Sequence, residues 1–218
     1  YIANAPFIPA FINRITLNAG ELGINLNKAV IDVLPSVAGF VGADTVAAVI
    51  AAGIHESSEI SLLIDIGTNG EMVLGNKEQM ICCSAAAGPA FEGAHIHCGM
   101  GGAKGAINKV YDDFSYTVIG GGEPIGICGS GLLDAVHALV KAEIVSSSGR
   151  FKTSEKEYLL APGINITQRD IRELQLAKGA ICAGIELMLK TAGIRTSEVK
   201  KLYLAGGFGN YLDPVSAS

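Results

Sequence analysis

Three short apolar runs joined by two tight links constrain this chain more than any other feature. Ile60–Ile66, Glu71–Leu74 and Gln79–Cys83 have strand length and strand composition. The links around Gly67-Thr68-Asn69-Gly70 and Gly75-Asn76-Lys77 are too short for a crossover. They predict an antiparallel meander. The first link also carries chemistry. Asp65 places a carboxylate at the tip of a buried strand. Gly67 and Gly70 let a ligand approach the main chain, and Thr68 and Asn69 add side-chain hydrogen bonds. Amides in such a turn form an anion nest, and an adjacent carboxylate suits the hydrated magnesium that travels with a nucleotide. An ordinary hairpin with an Asp-Gly type of turn is the plainer alternative.

The pattern recurs. Gly129-Ser130-Gly131 follows a predicted strand, Pro124–Cys128, and opens a helix to about Ala142. Leu132, Leu133, Val136, Leu139 and Val140 repeat along it at helical spacing. Gly206-Gly207-Phe208-Gly209 follows the apolar run Lys201–Ala205, and the Gly88-Pro89 corner starts a short helix. Free amides and the dipole at a helix start favour phosphate. Glycine loops at three strand ends, with one strand-end aspartate, point to a nucleotide. No loop has the P-loop spacing, and the element order is not that of a doubly wound dinucleotide fold.

The rest of the chain bounds the answer. Its 218 residues are 49% hydrophobic, enough for a large domain with a substantial core. Residues 1–34 read as irregular, with a strand near Lys28–Leu34, and Val37–Ala52 reads as a helix closed by Gly53. Gly105–Tyr111 and Tyr116–Ile119 read as hairpin strands, and residues 144–164 as a surface excursion. Thr167 and Asp170 match a capping box with a shorter acid, ahead of a helix from Gln168 to about Thr191. Asp213-Pro214 reads as the cap and first residue of another helix. The charges of Arg169–Lys178 read as a solvated helix face. A net charge of −5 argues against a nucleic-acid or acidic-membrane surface. Val37–Ile54 is broken by Gly39, Gly42, Asp44 and Gly53 and is no membrane span. No signal peptide is visible, so a cytoplasmic location is expected. The start at Tyr1 and the stop just after a helix start read as a piece of a longer protein.

Five cysteines without a Cys-x-x-Cys pair argue against a disulfide framework or zinc knuckle and predict buried free thiols. His95-Ile96-His97-Cys98 would put two histidines on one face if it were a strand, but no fourth ligand has a clear spacing. Cys128 has no basic neighbour in sequence to activate it. Glu92 reads equally as a carboxylate complementing a helix dipole.

Asp65-Ile66-Gly67-Thr68-Asn69-Gly70 resembles the second phosphate motif of the superfamily of sugar and acetate kinases, heat-shock chaperones and actin. Leu204-Ala205-Gly206-Gly207-Phe208-Gly209 resembles its adenosine motif. More closely, the chain resembles the C-terminal ATPase (ASKHA-type) region of the reductive activators of corrinoid proteins. The resemblance is carried by Leu34–Asp44, Leu62–Asn76, Cys83–Ala94, Gly126–Ala135, Thr167–Ile181 and Leu202–Pro214.

The resemblance implies an α/β, ribonuclease-H-like lobe with a mixed sheet and flanking helices. It would span 55–218, with 1–54 as an adjoining segment and helix. It implies ATP with Mg²⁺, the metal held by Asp65 through water. Gly67, Thr68, Asn69 and Gly70 would take phosphate oxygens, as would the helix starts at Gly88 and at Gly129, Ser130 and Gly131. Gly206, Gly207, Phe208 and Gly209 would line the adenosine, with Lys178 against adenine or ribose and Glu92 positioning the attacking water. The family uses ATP to drive the uphill reduction of cob(II)alamin to cob(I)alamin in a partner corrinoid protein. Its electron donor works through an iron–sulfur domain not found in these residues, as the first phosphate motif also is not. A homodimer is compatible with the family. A small-molecule kinase of the same superfamily and a non-catalytic dimerisation or docking module are the two other readings.

Overall fold

The structure, a computed structural model, describes residues 8–9, 11–26, 28–209 and 211–217. In chain order its elements are β1 (Ile15–Asn18), β2 (Val30–Val33), α1 (Ala43–Ala51), β3 (Ser61–Ile66), β4 (Gly70–Gly75), β5 (Met80–Ala85), β6 (Ala106–Val110), β7 (Tyr116–Val118), β8 (Gly126–Ile127) and α2 (Gly129–Lys141). They continue with β9 (Glu157–Ala161), β10 (Ile164–Thr167), α3 (Gln168–Ala192), β11 (Lys201–Ala205), α4 (Gly206–Gly209) and α5 (Pro214–Ala217). Contacts divide the chain into two units, the first drawn from residues 1–64, 71–84 and 187–203 and the second from 65–70, 85–186 and 204–218.

The first unit is built on a sheet of order β11-β3-β4-β5. Ser61, Leu62, Leu63 and Ile64 are all buried, as a strand covered on both faces requires. Leu63 and Val73 form a core with Val49 of α1 and Ile54, and Ala48, Ala52, Cys82 and Tyr203 pack around it. β1 and β2 form a separate antiparallel hairpin, Ile15 opposite Val33 and Asn18 opposite Val30. Arg14 closes its open end with a two-pronged bond to Asp32, at 3.1 and 2.6 Å, and holds that carboxyl below the usual range.

The second unit takes over the last two residues of β3 and of β11. Its sheet has order β7-β6-β8, antiparallel between β6 and β7 and parallel between β6 and β8. α2 follows β8 directly and packs on β6. The β9–β10 hairpin, with a register shift between Ile164 and Asn165, leads into α3. The capping box there is complete: the Asp170 amide donates to Thr167 Oγ1 at 3.3 Å and the Thr167 amide donates to Asp170 Oδ2 at 2.8 Å.

One helix starts later than expected, and β1 lies within the stretch 1–34 read as irregular. α1 begins at Ala43 rather than Val37, because the Val37 and Ala38 amides turn back to the Val41 carbonyl. Gly39 and Gly42 resist helix in that stretch. Residues 93–98 form turns and a bend, not the strand in which His95 and His97 would share a face, and His95 has a φ of +65°. His95 and His97 therefore share no strand face. Cys182 is exposed on α3 and only Cys128 is fully buried, so burial is not general among the thiols. Cys82 and Cys83 are half-buried, which pushes both thiols up. Among the described residues no helix is long and apolar enough to cross a membrane.

Candidate nucleotide cleft in the second unit

The cleft is assembled where three connections of the second unit meet. β8 stops at Ile127, and Cys128 turns the chain in extended geometry into α2, whose first turn no side chain caps. A short 3-10 turn, Pro89–Glu92, brings up Phe91. α4 brings up Phe208, whose ring lies 4.7 Å from that of Phe91, tilted by 30°. Gly129 sits at the junction. A β-carbon there would fall 2.0 Å from the Phe91 carbonyl oxygen and 2.9 Å from Phe208 Cε2, so only glycine lets the three segments close.

The resulting cavity has a volume of about 810 Å³, ample for a nucleotide. Of the residues singled out from the sequence, Gly67, Glu92, Gly129, Ser130, Gly207 and Phe208 line it. Thr68 joins them indirectly, donating its hydroxyl to both Glu92 carboxylate oxygens at 2.8 and 2.9 Å. Asp65 stands at the end of β3, with Oδ1 only 2.5 Å from where a β-carbon of Gly206 would lie. Gly206 has a φ of +85°, a conformation that side chains disfavour. A bare backbone at this position leaves the carboxylate its space.

Other named residues lie outside the lining. Gly131 packs against β6, its β-carbon position 2.3 Å from the Ile107 carbonyl oxygen. A β-carbon at Gly70 would meet Ile181 Cγ1 at 3.1 Å, and one at Gly209 would meet the Leu204 backbone at 3.2 Å. The Asn69 carbonyl accepts the Gly67 amide at 3.0 Å, which closes the turn. Gly88, with a φ of +81°, turns the chain into Pro89. Lys178 is exposed on α3 and does not line the cleft.

The lining also contains Ile66, Phe91, Gly101, Gly102, Asn108, Thr117, Val118, Ile119, Cys128 and Tyr211. Phe91 and Cys128 adjoin quoted motifs and were within reach of the sequence. Thr117–Ile119 carry no motif; the pairing of β7 with β6 alone brings them here. Cys128 Sγ lies 3.4 Å from Ser130 Oγ, and that hydroxyl has a carbonyl partner, Asn108 O, at 2.8 Å.

The metal demand of the site is small. A Mg²⁺ ion bound with a nucleotide takes one or two carboxylates, with phosphates and water completing its shell. Asp65 beside the bare Gly206 fits that demand. Among the described residues no group of three His, Cys, Asp or Glu side chains converges to hold a metal by itself.

Comparison with known proteins agrees with this reading of the fold. Residues 59–218 match the family described as the C-terminal domain of RACo, the ASKHA domain, and residues 1–57 match the RACo middle region. The corrinoid activation enzyme RamQ of Eubacterium limosum is 34% identical over 98% of this chain and 41% of its own length. A reductase of the Co(II) methylated amine-specific corrinoid protein from Methanosarcina barkeri is 30% identical over 88% of this chain and 40% of its own length. A solved structure of a reductive activator for corrinoid, iron–sulfur protein superposes with a TM-score of 0.84 at 37% identity, over all of this chain and 38% of that one. The chain thus spans about 40% of the length of the relatives it matches. With a mixed α/β architecture and matches that run along its whole length, the chain belongs to the RACo family and carries that family's ASKHA domain.

Proposed function

We propose that this chain is the ATP-binding and ATP-hydrolysing part of a reductive activator that drives one-electron reduction of cob(II)alamin to cob(I)alamin in a corrinoid protein. One observation supports it above the others: glycines line the cleft where packing does not require them. Gly207, Gly101 and Gly102 have no atom within 4 Å of a β-carbon position, and Gly67 has only the Asn69 carbonyl oxygen at 3.8 Å. Space there serves a ligand.

In this reading the amides of Thr68 and Asn69, at the turn that the Gly67 amide closes, and the uncapped first turn of α2 hold phosphate oxygens. Phe91 and Phe208 provide an apolar wall for the adenosine. Thr68 fixes the Glu92 carboxylate, which orients the attacking water and accepts its proton as the terminal phosphoanhydride bond breaks, giving ADP and phosphate. Bound Mg²⁺, held by Asp65 through water, supplies charge neutralisation for the phosphates. We take 55–218 as the ATP-binding lobe, 1–54 as its adjoining segment, and the cytoplasm as its location. The electron arrives through an iron–sulfur domain outside these residues.

The test uses the protein that carries this chain, a reduced electron donor and the corrinoid protein. The cob(I)alamin absorption spectrum is expected to appear only when ATP is added, with ATP consumed. Equal reduction without ATP contradicts the proposal. The division of labour has its own check. Purified without reconstitution, the 218-residue chain is expected to carry well under one equivalent of iron or zinc. Clusters and structural zinc need about four convergent ligands. One equivalent of iron per chain by elemental analysis contradicts this.

A further inference from the structure

Phe208 and Tyr211 line one side of the cleft, and besides the packing of α5 on α2 two interactions hold this part of the chain. The first is the Phe208 ring against Phe91. The second lies beyond the cleft, where Asp213 meets Lys109 of β6 in a charged hydrogen bond. Lys109 is held from behind as well, 3.7 Å from Asp134, a carboxylate only 3% exposed in α2. Asp134 in turn accepts the Val110 amide at 3.3 Å. The other Asp213 oxygen caps α5, accepting the Val215 amide at 2.8 Å. Neither Lys109 nor Asp213 lines the cleft. The Asp213 hydrogen bond raises the affinity of the Lys109 ammonium for its proton, and Lys109 lowers that of Asp213, so both are charged at neutral pH.

We propose that the Lys109–Asp213 pair is a latch that holds Phe208 and Tyr211 at the cleft and thereby sets nucleotide affinity, with neither residue of the pair touching the nucleotide. The inference rests on the ATP-binding reading above. The physical case is one of leverage. The Phe208 anchor is a ring contact, and α4 is only four residues long. A turn this short has little stability of its own. Without the charged pair, the segment leaves the cleft part of the time, and apparent affinity falls by the fraction of time it is in place. Lys109 and Asp213 are positioning residues.

The two sides of the pair differ as test sites. Lys109→Met leaves the buried Asp134 without its cation and is expected to lower stability as well. Asp213→Asn is the cleaner change. Asparagine keeps the oxygen that caps α5, and Lys109 keeps Asp134. In the protein that carries this chain, Asp213→Asn is expected to weaken MgATP binding about tenfold, as a latch closed one tenth of the time does. Turnover at saturating ATP should remain near wild type, and the unfolding midpoint should be little changed. Hydrogen exchange at the Tyr211 amide, which bonds the Phe208 carbonyl at 3.0 Å, should accelerate even without nucleotide. Lys109→Arg should retain wild-type affinity and slow exchange. If wild type binds MgATP and Asp213→Asn binds equally well, the latch is overturned and the ATP reading stands. If wild type binds no MgATP, the ATP reading fails, and the exchange measurement alone decides whether the pair holds the segment. A lowered midpoint with unchanged exchange at Tyr211 overturns the latch in either case.

Discussion

Replacing Asp65 by alanine is expected to reduce ATP turnover about a thousandfold or more in the protein that carries this chain, equivalent to about 4 kcal/mol of lost transition-state stabilisation. The residue is half-buried at the end of β3, and the space beside it is kept open by Gly206. Phosphoryl transfer depends on positioning and charge stabilisation more than on covalent chemistry by the protein. On the proposed role of Asp65, the loss of a single carboxylate that holds the metal is therefore costly. The fold should survive, because the strand is anchored by the buried Leu63, Ile64 and Ile66. Circular dichroism and an unfolding curve like those of wild type, with turnover gone, fit the account. Asp65→Asn, which keeps the shape and removes the charge, should behave in the same way. Wild-type turnover in either variant removes Asp65 from the metal site.

Gly131→Ala is expected to act on stability instead, lowering it by about 3 kcal/mol. Helix propensity alone predicts the reverse, a gain of about 1 kcal/mol for alanine over glycine inside a helix. Here the added carbon would lie 2.3 Å from the Ile107 carbonyl oxygen and 3.1 Å from Ile127 Cγ1. The oxygen is backbone of β6 and has no rotamer to escape into. α2 must therefore move off the sheet, and its buried Leu132 and Leu139 move with it. The unfolding midpoint should fall by roughly 10 °C for a domain of this size. A midpoint equal to or above wild type contradicts the close approach of α2 to β6.

Much of the fold is legible in the sequence. The meander was readable because its links are too short to allow another pairing. The capping box at Thr167 and Asp170 and the cap at Asp213 were readable because each depends on residues a few positions apart. The same locality misled at α1, where an Ala- and Val-rich stretch looked helical from Val37 although Gly39 and Gly42 keep its first turn out of the helix. The cleft was legible only in part. Its glycine loops announce themselves, but Thr117–Ile119 reach the site through strand pairing, and nothing in their own sequence marks them. Gly131 shows the converse. It sits in a motif that reads as phosphate-binding, yet its observed surroundings are the carbonyl of a neighbouring strand. The Lys109–Asp213 pair spans 104 positions, a separation at which a single sequence gives no pairing signal.

The central claim, that the second unit's cleft holds ATP, is tested most directly by calorimetric titration of MgATP into wild type and Gly207→Val. Gly207 lines the cleft, and beyond its own turn no atom lies within 4 Å of its β-carbon position, so a side chain there starts into open space. The fold should tolerate it, because valine ranks above glycine in helix propensity and the turn is only four residues long. The account predicts that wild type binds and that Gly207→Val loses more than about tenfold in affinity, or 1.4 kcal/mol, at an unchanged unfolding midpoint. Equal affinity in the two proteins would contradict it and remove this loop from the nucleotide site.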